Sequence, residues 1–494
     1  MGNLAAMLRY IGHDVTGSDR DLYPPMSERL KEWKIEAHNF DSANVKGMDL
    51  CIIGNVISRG NPEVEEILNG GIPYMSLPQA LYEFFLKGRR VIVAAGTHGK
   101  TTTTFLTHYI LSQAGVKAGL FAGGVRADGH DGFALPESDI FVIEGDEYDS
   151  AFFDKGSKFL HYRPRYLILG AVEFDHADIF RNYEEYALPF RRLLRMIPSN
   201  GLVVANQMSD GVRDVLTDYR YSPIEWIANQ SKKGVFGFQR RAETLSLDGI
   251  GDIRGNRLMG DYNARNALAA SRIALALGVS PKQIRDAVAS FPGVMRRQQI
   301  RLEANIDGVP VTFIEDFAHH PTAVSETIDA VRQTYPDRSV SVLFEPRSAT
   351  SHRNVFQKEY GAAFKRADAV YICEIHNKKK VGAKDRLDRR RDGRDLRLCR
   401  QRAESLIQQA ASLGGFNIAD NRDFKIVAGE STRGEGFQIG GLDLRYALQR
   451  AFGGAAIRMI AIGRAPEAAA GDTGGRCRFT AQAGENFPAH ARHG

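Results

Sequence analysis

"VIVAAGTHGKTTTTFLTHYI", residues 91–110, runs from an apolar β-branched stretch through a glycine turn into a helix opened by threonines. A strand that feeds a glycine turn and then a helix aims several backbone N–H groups at one point. The helix dipole favours an anion at that same point. Lys100 can reach the outer phosphates of a nucleotide, and the Thr101 hydroxyl can ligate Mg²⁺. The pattern Gly-x-x-x-x-Gly-Lys-Ser/Thr is incomplete, because Ala94 stands at its first glycine position. What remains is a candidate phosphate loop of Gly96, Thr97, His98, Gly99, Lys100, Thr101 and Thr102. A capped loop with no ligand is the alternative, and the strand-to-helix context favours ATP.

Helix and strand signals alternate on both sides of this stretch. From 1 to about 88, "LAAMLRYIG", "SERLKEWKI" and "PEVEEILNGG" read as helices, with "HDVTGSD" and "DLCIIGN" as strands between them. Such alternation implies a parallel sheet covered by helices. From about 89 to 294 the buried-strand candidates are "VIVAAG", "DIFVIEGD", "YLILGAV" and "GLVVAN"; "NARNALAASRIALALG" is a strong helix closed by Gly278. A third unit opens near 295 with "VPVTFIEDFA" and "SVSVLFEP" as strands, "TAVSETIDAVRQTY" and "NVFQKEYGAAFKRA" as helices, and "AVYICEI" as a further strand. The pattern fails after about 378, and the last 40 or so residues, from Gly453 on, resemble no packed element. The expected fold class is therefore α/β in three domains, with a fourth segment, 379–494, as an atypical continuation from a changed reading frame or a foreign terminus.

The chain has 494 residues, too many for one core. Its hydrophobic content of 43% and charged content of 25% are those of a soluble globular protein. No apolar run approaches the roughly 20 residues of a membrane-spanning helix. Four cysteines, Cys51, Cys373, Cys399 and Cys477, lie far apart, which argues against a zinc site or disulfide framework and suits the cytoplasm. The net charge of +6 hints at nucleic acid until it is located. Residues 386–402 hold eight arginines against three aspartates, so the rest is nearly balanced. That stretch lacks interleaved aromatics for base stacking, and no nucleic-acid or membrane partner is expected.

Further chemistry clusters at strand ends, where open α/β sheets bind ligands. "FVIEGDEYDSAFF" sets Glu144, Asp146 and Glu147 there, and Glu144 is placed to hold a metal opposite the phosphate loop. "LILGAVEFDHADIF" repeats the arrangement with Glu173, Asp175 and His176. Asn263 and Asn266 lie three apart at a helix start, where they either cap it or read a purine or ribose. Arg296, Arg297, Asp316, His319 and His320 crowd the entrance of the third unit, and Arg347 follows another strand. Arginines can stabilise spreading phosphoryl charge, or simply form surface ion pairs.

The series "GTHGKTT", "EGDE", "DH", "NARNALAA" and "DFAHHPT" resembles the Mur ligase family, which joins amino acids or peptides to UDP-N-acetylmuramate precursors at the cost of ATP. The resemblance covers about residues 1–378. It implies a Rossmann-like UDP-sugar domain at 1–88, a central domain at 89–294 resembling a phosphate-loop ATPase, and the first half of a Rossmann-like ligase domain at 295–378. It also implies ATP and Mg²⁺ as cofactors. Lys100 and Thr101 would then serve phosphates and metal, Glu144 and His176 would hold metal, and Asn266 the adenine. Asp316 would contact the ribose and Arg297 the phosphates, while Arg347 would grip a peptide carboxylate. Gly54, Asn55, Ser58 and His319 are the substrate contacts it suggests.

Within the family, "EGDEYDSAFFDKGSKFLHYRP" and "FEPRSATS" resemble the branch that attaches the tripeptide L-alanyl-γ-D-glutamyl-meso-diaminopimelate, recovered for recycling. The branch that adds L-alanine is the nearest alternative. A phosphate-loop ATPase of another class and an inactive remnant are the others. The family's first domain opens with a strand and glycine loop that precede the residue matching Met1, which implies a weakened grip on the UDP-sugar. The expected assembly is a monomer or weak homo-oligomer.

Overall fold

The computed structural model describes residues 1–372, apart from 21, 23–25, 242, 307, 308, 347 and 349, together with 387, 438, 439, 442, 443 and 457–464. Arg347 and, Leu387 aside, the arginine-dense stretch lie outside the described residues. The chain divides into two compact units: Met1–Leu258 with Tyr262–Val294, and Met259–Asp261 with the described part of Met295–Ala491.

The first unit begins with α1 (Gly2–Tyr10), β1 (Thr16–Ser18), α2 (Met26–Glu32), β2 (Glu36–His38), β3 (Cys51–Ile53), α3 (Pro62–Gly70), β4 (Tyr74–Ser76) and α4 (Leu77–Leu81). Local chemistry sets the boundaries. Asn61 accepts from the backbone N–H groups of Glu63 and Val64 to start α3, and Gly71 ends it at φ 63°. A reciprocal Ser76–Gln79 capping box starts α4. β1 pairs in parallel with β2, and β3 with β4. The two pairs are separate sheets, and among the described residues no strand joins them.

The larger part of this unit is built on β5 (Arg90–Ala95), α5 (Lys100–Gln113), β6 (Gly119–Phe121), β7 (Phe133–Ala134), β8 (Ile140–Gly145), β9 (Asp149–Ala151), β10 (Asp154–Ser157), β11 (Tyr166–Leu169), α6 (Tyr183–Leu194), β12 (Leu202–Asn206), α7 (Asp210–Val215), β13 (Ile224–Ile227) and β14 (Val235–Phe236). Eight strands form one sheet in the order β14-β13-β12-β11-β5-β8-β6-β7, parallel except for β7. Strand β5 is covered on both faces. Ile92 and Ala94 pack into one core with Phe105, Leu106 and Ile110, while Val91, Val93 and Ala95 pack into another with Tyr186, Phe190 and Leu193. Burial on both faces is why this strand reads as continuous apolar sequence rather than alternation. Each such fully buried large side chain contributes about 1.5–3 kcal/mol.

Sequence patterning missed the antiparallel meander β15 (Phe238–Arg241), β16 (Thr244–Leu247) and β17 (Gly251–Arg254), whose strands are too short to stand out from loop. It is followed by α8 (Gly260–Ala276) and α9 (Pro281–Ser290). Helix α8 stops just before Gly278, close to where the sequence puts its end.

The second unit holds a five-stranded sheet. Its elements are β18 (Gln299–Ile306), β19 (Val309–Asp316), α10 (Pro321–Thr334), β20 (Arg338–Phe344), α11 (Gln357–Ala363) and β21 (Ala369–Ile372). Two short strands, β22 (Gln438–Ile439) and β23 (Leu442–Asp443), pair apart from it. The last described element, β24 (Ile457–Arg464), lies antiparallel between β19 and β20. This corrects the expectation that nothing after Gly453 packs. "IRMIAIGR" carries Arg458 and Arg464 and no strict alternation, and its strand character shows only beside the two strands it bridges. The segment read as one helix from Asn354 is instead a 3₁₀ turn, the seven-residue α11 and a second 3₁₀ turn.

Candidate active site

Register brings the site together. Ala94 and Ala95 of β5 stand opposite Glu144 and Gly145 of β8 on one side, and Ala95 stands opposite Leu169 of β11 on the other. The candidate phosphate loop, the acidic turn and the segment 170–176 therefore leave the sheet at one edge, the carboxyl ends of three adjacent parallel strands.

The loop is stitched to the segment after β11. Thr97 N–H donates to Ala171 O at 2.8 Å, and Glu173 N–H donates to Thr97 Oγ1 at 2.9 Å. His98 Nε2 lies 3.2 Å from Glu173 Oε2. Gly96 has φ 132°, and a Cβ there would lie 2.7 Å from both Ala171 N and Ala171 O. Gly99 has φ 78°, and its Cβ would lie 2.9 Å from Asn266 Oδ1. Backbone conformation thus favours glycine at both positions, and at Gly96 the backbone of Ala171 also leaves no room for a side chain. The contact sets Asn266 against the loop, held by a 3.2 Å hydrogen bond to Asn263 Oδ1. Helix α5 starts at Lys100, its N-cap Gly99 supplies no side-chain cap, and its N-terminal dipole faces the loop.

Lys100 Nζ donates to Gly96 O at 2.7 Å and to Glu147 Oε1 at 3.0 Å, and it lies 2.9 Å from Glu147 Oε2. Burial pulls its ammonium pKa down, but the charges of Glu147 and Asp146 more than offset this and hold it above the ordinary lysine value. Glu147 is pushed up by burial and held below the usual carboxylate range chiefly by Lys100, then by the His176 hydrogen bond. Burial likewise lowers His176, and its bond to Glu147 with the charge of Asp175 reverses the sign, leaving it above the ordinary histidine value. Lys158 reaches Asp146 at 2.6 Å beside this cluster.

Thr101 Oγ1 donates to Glu144 Oε1 at 2.8 Å, and Gly123 N–H donates to Glu144 Oε2 at 2.8 Å. A hydroxyl and a carboxylate next to a phosphate cradle form the hard oxygen donor set that Mg²⁺ prefers. Thr102 is buried in the first turn of α5. His176, expected beside Glu144, makes its hydrogen bond to Glu147 instead, Nε2 to Oε1 at 2.9 Å. Glu147 is the residue the sequence undervalued. It was legible as one of three acids at a strand end, but nothing in the sequence says that it alone is fully buried.

The remaining candidates lie on other segments of the chain. Gly54, Asn55 and Ser58 lie in the turn after β3, where Ile57 N–H donates to Gly54 O at 3.1 Å and Ser58 is exposed. In the second unit, Asp316 ends β19 with its carboxylate accepting from Gln298 N at 2.8 Å and Ala318 N at 2.6 Å. Burial raises its pKa, and Arg297 opposes that. Arg297 lies over the Phe317 ring at 4.9 Å, and His319 packs edge-on to the same ring at 5.5 Å. Asp316, Arg297 and His319 therefore meet around Phe317. His320 caps α10 by accepting from Thr322 N at 3.3 Å.

The fold agrees with comparisons to known proteins. Three family models match in order: "Mur ligase family, catalytic domain" at 1–89, "Mur ligase middle domain" at 94–274 and "Mur ligase, glutamate ligase domain" at 296–417. The chain belongs to the Mur ligase family. It is 41% identical over 382 residues to the UDP-N-acetylmuramate–L-alanyl-γ-D-glutamyl-meso-2,6-diaminoheptandioate ligase of Escherichia coli (strain K12), covering 76% of this chain and 82% of that one. A solved murein peptide ligase of Psychrobacter arcticus 273-4 is similar at 34% identity and TM-score 0.60, over 75% of this chain and 82% of that one. The UDP-N-acetylmuramate–L-alanine ligase of Roseiflexus sp. (strain RS-1) is 30% identical across 90% of this chain and 96% of its own length. Mur ligases are ATP-dependent, Mg²⁺-requiring enzymes that form amide bonds, and the three-domain α/β architecture is theirs. No described helix is long and apolar enough to cross a membrane.

Proposed function

We propose that the protein is an ATP-dependent ligase that joins L-alanyl-γ-D-glutamyl-meso-diaminopimelate to UDP-N-acetylmuramate during peptidoglycan recycling. The observation that carries this reading is the phosphate cradle of Gly96, Gly99 and Lys100 facing Glu144, within a chain 41% identical to a ligase named for that reaction. The module at 1–88 would bind the UDP-sugar through Gly54, Asn55 and Ser58, and 89–294 would bind ATP. The module from 295 would supply Asp316 to the ribose, Arg297 to the phosphates and His319 to the substrate. Arg347 is proposed for a peptide carboxylate.

A carboxylate is a poor acceptor for an amine, so the muramate carboxylate first takes the γ-phosphoryl group of ATP. The peptide amine attacks the resulting acyl phosphate, and phosphate leaves from a tetrahedral intermediate. The first step needs positioning and charge neutralisation rather than covalent help from the protein. The backbone N–H groups of the 96–102 loop and the Lys100 ammonium supply both, and Asn266 lies beside the loop to hold the adenine. Bound through Thr101, Glu144 and His176, Mg²⁺ would supply further charge neutralisation at the phosphates.

The L-alanine-adding reaction is the second reading, favoured by the 96% coverage of the Roseiflexus relative. Phosphate release with ATP, Mg²⁺ and UDP-N-acetylmuramate, offering tripeptide or L-alanine, decides between them. The tripeptide should give the higher kcat/KM. Preference for L-alanine sinks the peptide assignment, and phosphate release without the UDP-sugar sinks the ligase reading.

A further inference from the structure

Resting on that reading, we propose that Glu147 is a positioning residue that aims both the Lys100 ammonium and the His176 ring at the nucleotide–metal site. Its carboxylate is completely buried, yet it meets side chains from three separate segments. Oε1 accepts from Lys100 Nζ at the start of α5 at 3.0 Å, from His176 Nε2 in the loop after β11 at 2.9 Å, and from Tyr186 Oη on α6 at 3.3 Å. The backbone is pinned as well, since Ser157 Oγ donates to Glu147 O at 2.7 Å. Tyr186 Oη also lies 2.9 Å from Thr97 Oγ1, which links the same carboxylate to the phosphate loop.

The consequence is a choice of proton position. An ionised carboxylate can only accept, so the Nε2 atom of His176 must carry the proton it donates to Glu147. In the neutral ring, the form that ligates a metal, Nδ1 is then the nitrogen left to present a lone pair. A carboxylate behind a ligating imidazole fixes its tautomer and direction in this way. The ring is also held by its backbone, at φ 55° for a non-glycine residue, and by the Tyr148 ring at 4.1 Å. The same oxygens pull Lys100 Nζ across the loop toward the Gly96 and Thr97 carbonyls, so the ammonium is pointed before an anion arrives.

The test uses the full chain with Glu147→Gln and Glu147→Asp. Glutamine can donate from its amide to Nε2, which drives the proton to Nδ1. Aspartate keeps the charge but withdraws the acceptor from His176. Mn²⁺ binding in the presence of ATP is followed by electron paramagnetic resonance, and the His176 tautomer by long-range ¹H–¹⁵N NMR with His176→Asn to assign the signal. Folded Glu147→Gln should lose Mn²⁺ affinity roughly ten- to a hundredfold, shift the proton off Nε2, and lower kcat while KM for the UDP-sugar stays put. Glu147→Asp should move the same readouts less, and it serves if the glutamine variant does not fold. Either folded variant binding Mn²⁺ like the wild type, with Nε2 still protonated, overturns the proposal. A wild-type chain that binds neither ATP nor Mn²⁺ would instead mean that the ligase reading itself has failed.

Discussion

Replacing Gly96 with alanine should damage the phosphate loop in a way that no neighbouring side chain can relieve. At φ 132° an alanine leaves the allowed regions for L-residues, at a cost of about 1–3 kcal/mol. Its Cβ would also sit 2.7 Å from two backbone atoms of Ala171, and such overpacking adds about 1–3 kcal/mol. Gly99→Ala carries the same kind of backbone cost, but its steric partner is a side-chain tip, Asn266 Oδ1 at 2.9 Å. The double variant Gly99→Ala/Asn266→Ala should therefore recover the packing part of the loss, while Gly96→Ala/Asn266→Ala should recover none. Urea unfolding followed by tryptophan fluorescence reads this well, because Trp33 and Trp226 both lie in the unit that holds the loop. Calorimetric ATP titration reads the cradle itself. Gly96→Ala with wild-type stability and wild-type ATP affinity would refute the account of the loop.

Lys100→Ala should abolish ligation and, by leaving Glu147 buried without its main countercharge, destabilise the chain by about 3–5 kcal/mol. Adding Glu147→Gln should restore part of the stability and none of the activity in paired unfolding and phosphate-release assays; restored activity would contradict the role given to the ammonium. Thr101→Val should lower Mg²⁺-dependent ATP affinity with little loss of stability, and unchanged metal dependence in a titration would count against Thr101 as a ligand. His108 offers a pH signature. Burial, with repulsion from His130 and Arg126, lowers its pKa from 6.5 to about 4. The unfolded chain therefore binds that proton first as pH falls from 6.5 to about 4, and stability drops across this window by roughly 3 kcal/mol. His108→Gln should flatten that part of the stability curve in urea unfolding at pH 7, 5.5 and 4, and an identical acid slope would show that His108 is not the cause.

The central unit was the most legible part of the chain because its strands are buried on both faces and its loop chemistry is local. Continuous apolar runs at 91–95, 140–143 and 166–169 announce parallel strands, and Gly96, Gly99, Lys100 and Thr101 announce an anion site without help from the rest of the fold. Short elements were not legible. The strands of the meander at 238–254 have too few residues to establish a period, and β24, at 457–464, is defined by the backbone groups of β19 and β20 on either side of it.

Sequence by itself determined the family-level facts: an α/β chain, a glycine-rich candidate phosphate loop, and acids and a histidine at strand ends. Only tertiary structure decided how those groups divide their work. Glu144, Asp146 and Glu147 are equivalent as letters, yet Glu144 meets Thr101, Asp146 meets Lys158, and Glu147 is sealed among Lys100, His176 and Tyr186. The reason is physical: a hydrogen bond to a residue 29 or 39 positions away depends on strand order and register, which no local pattern encodes.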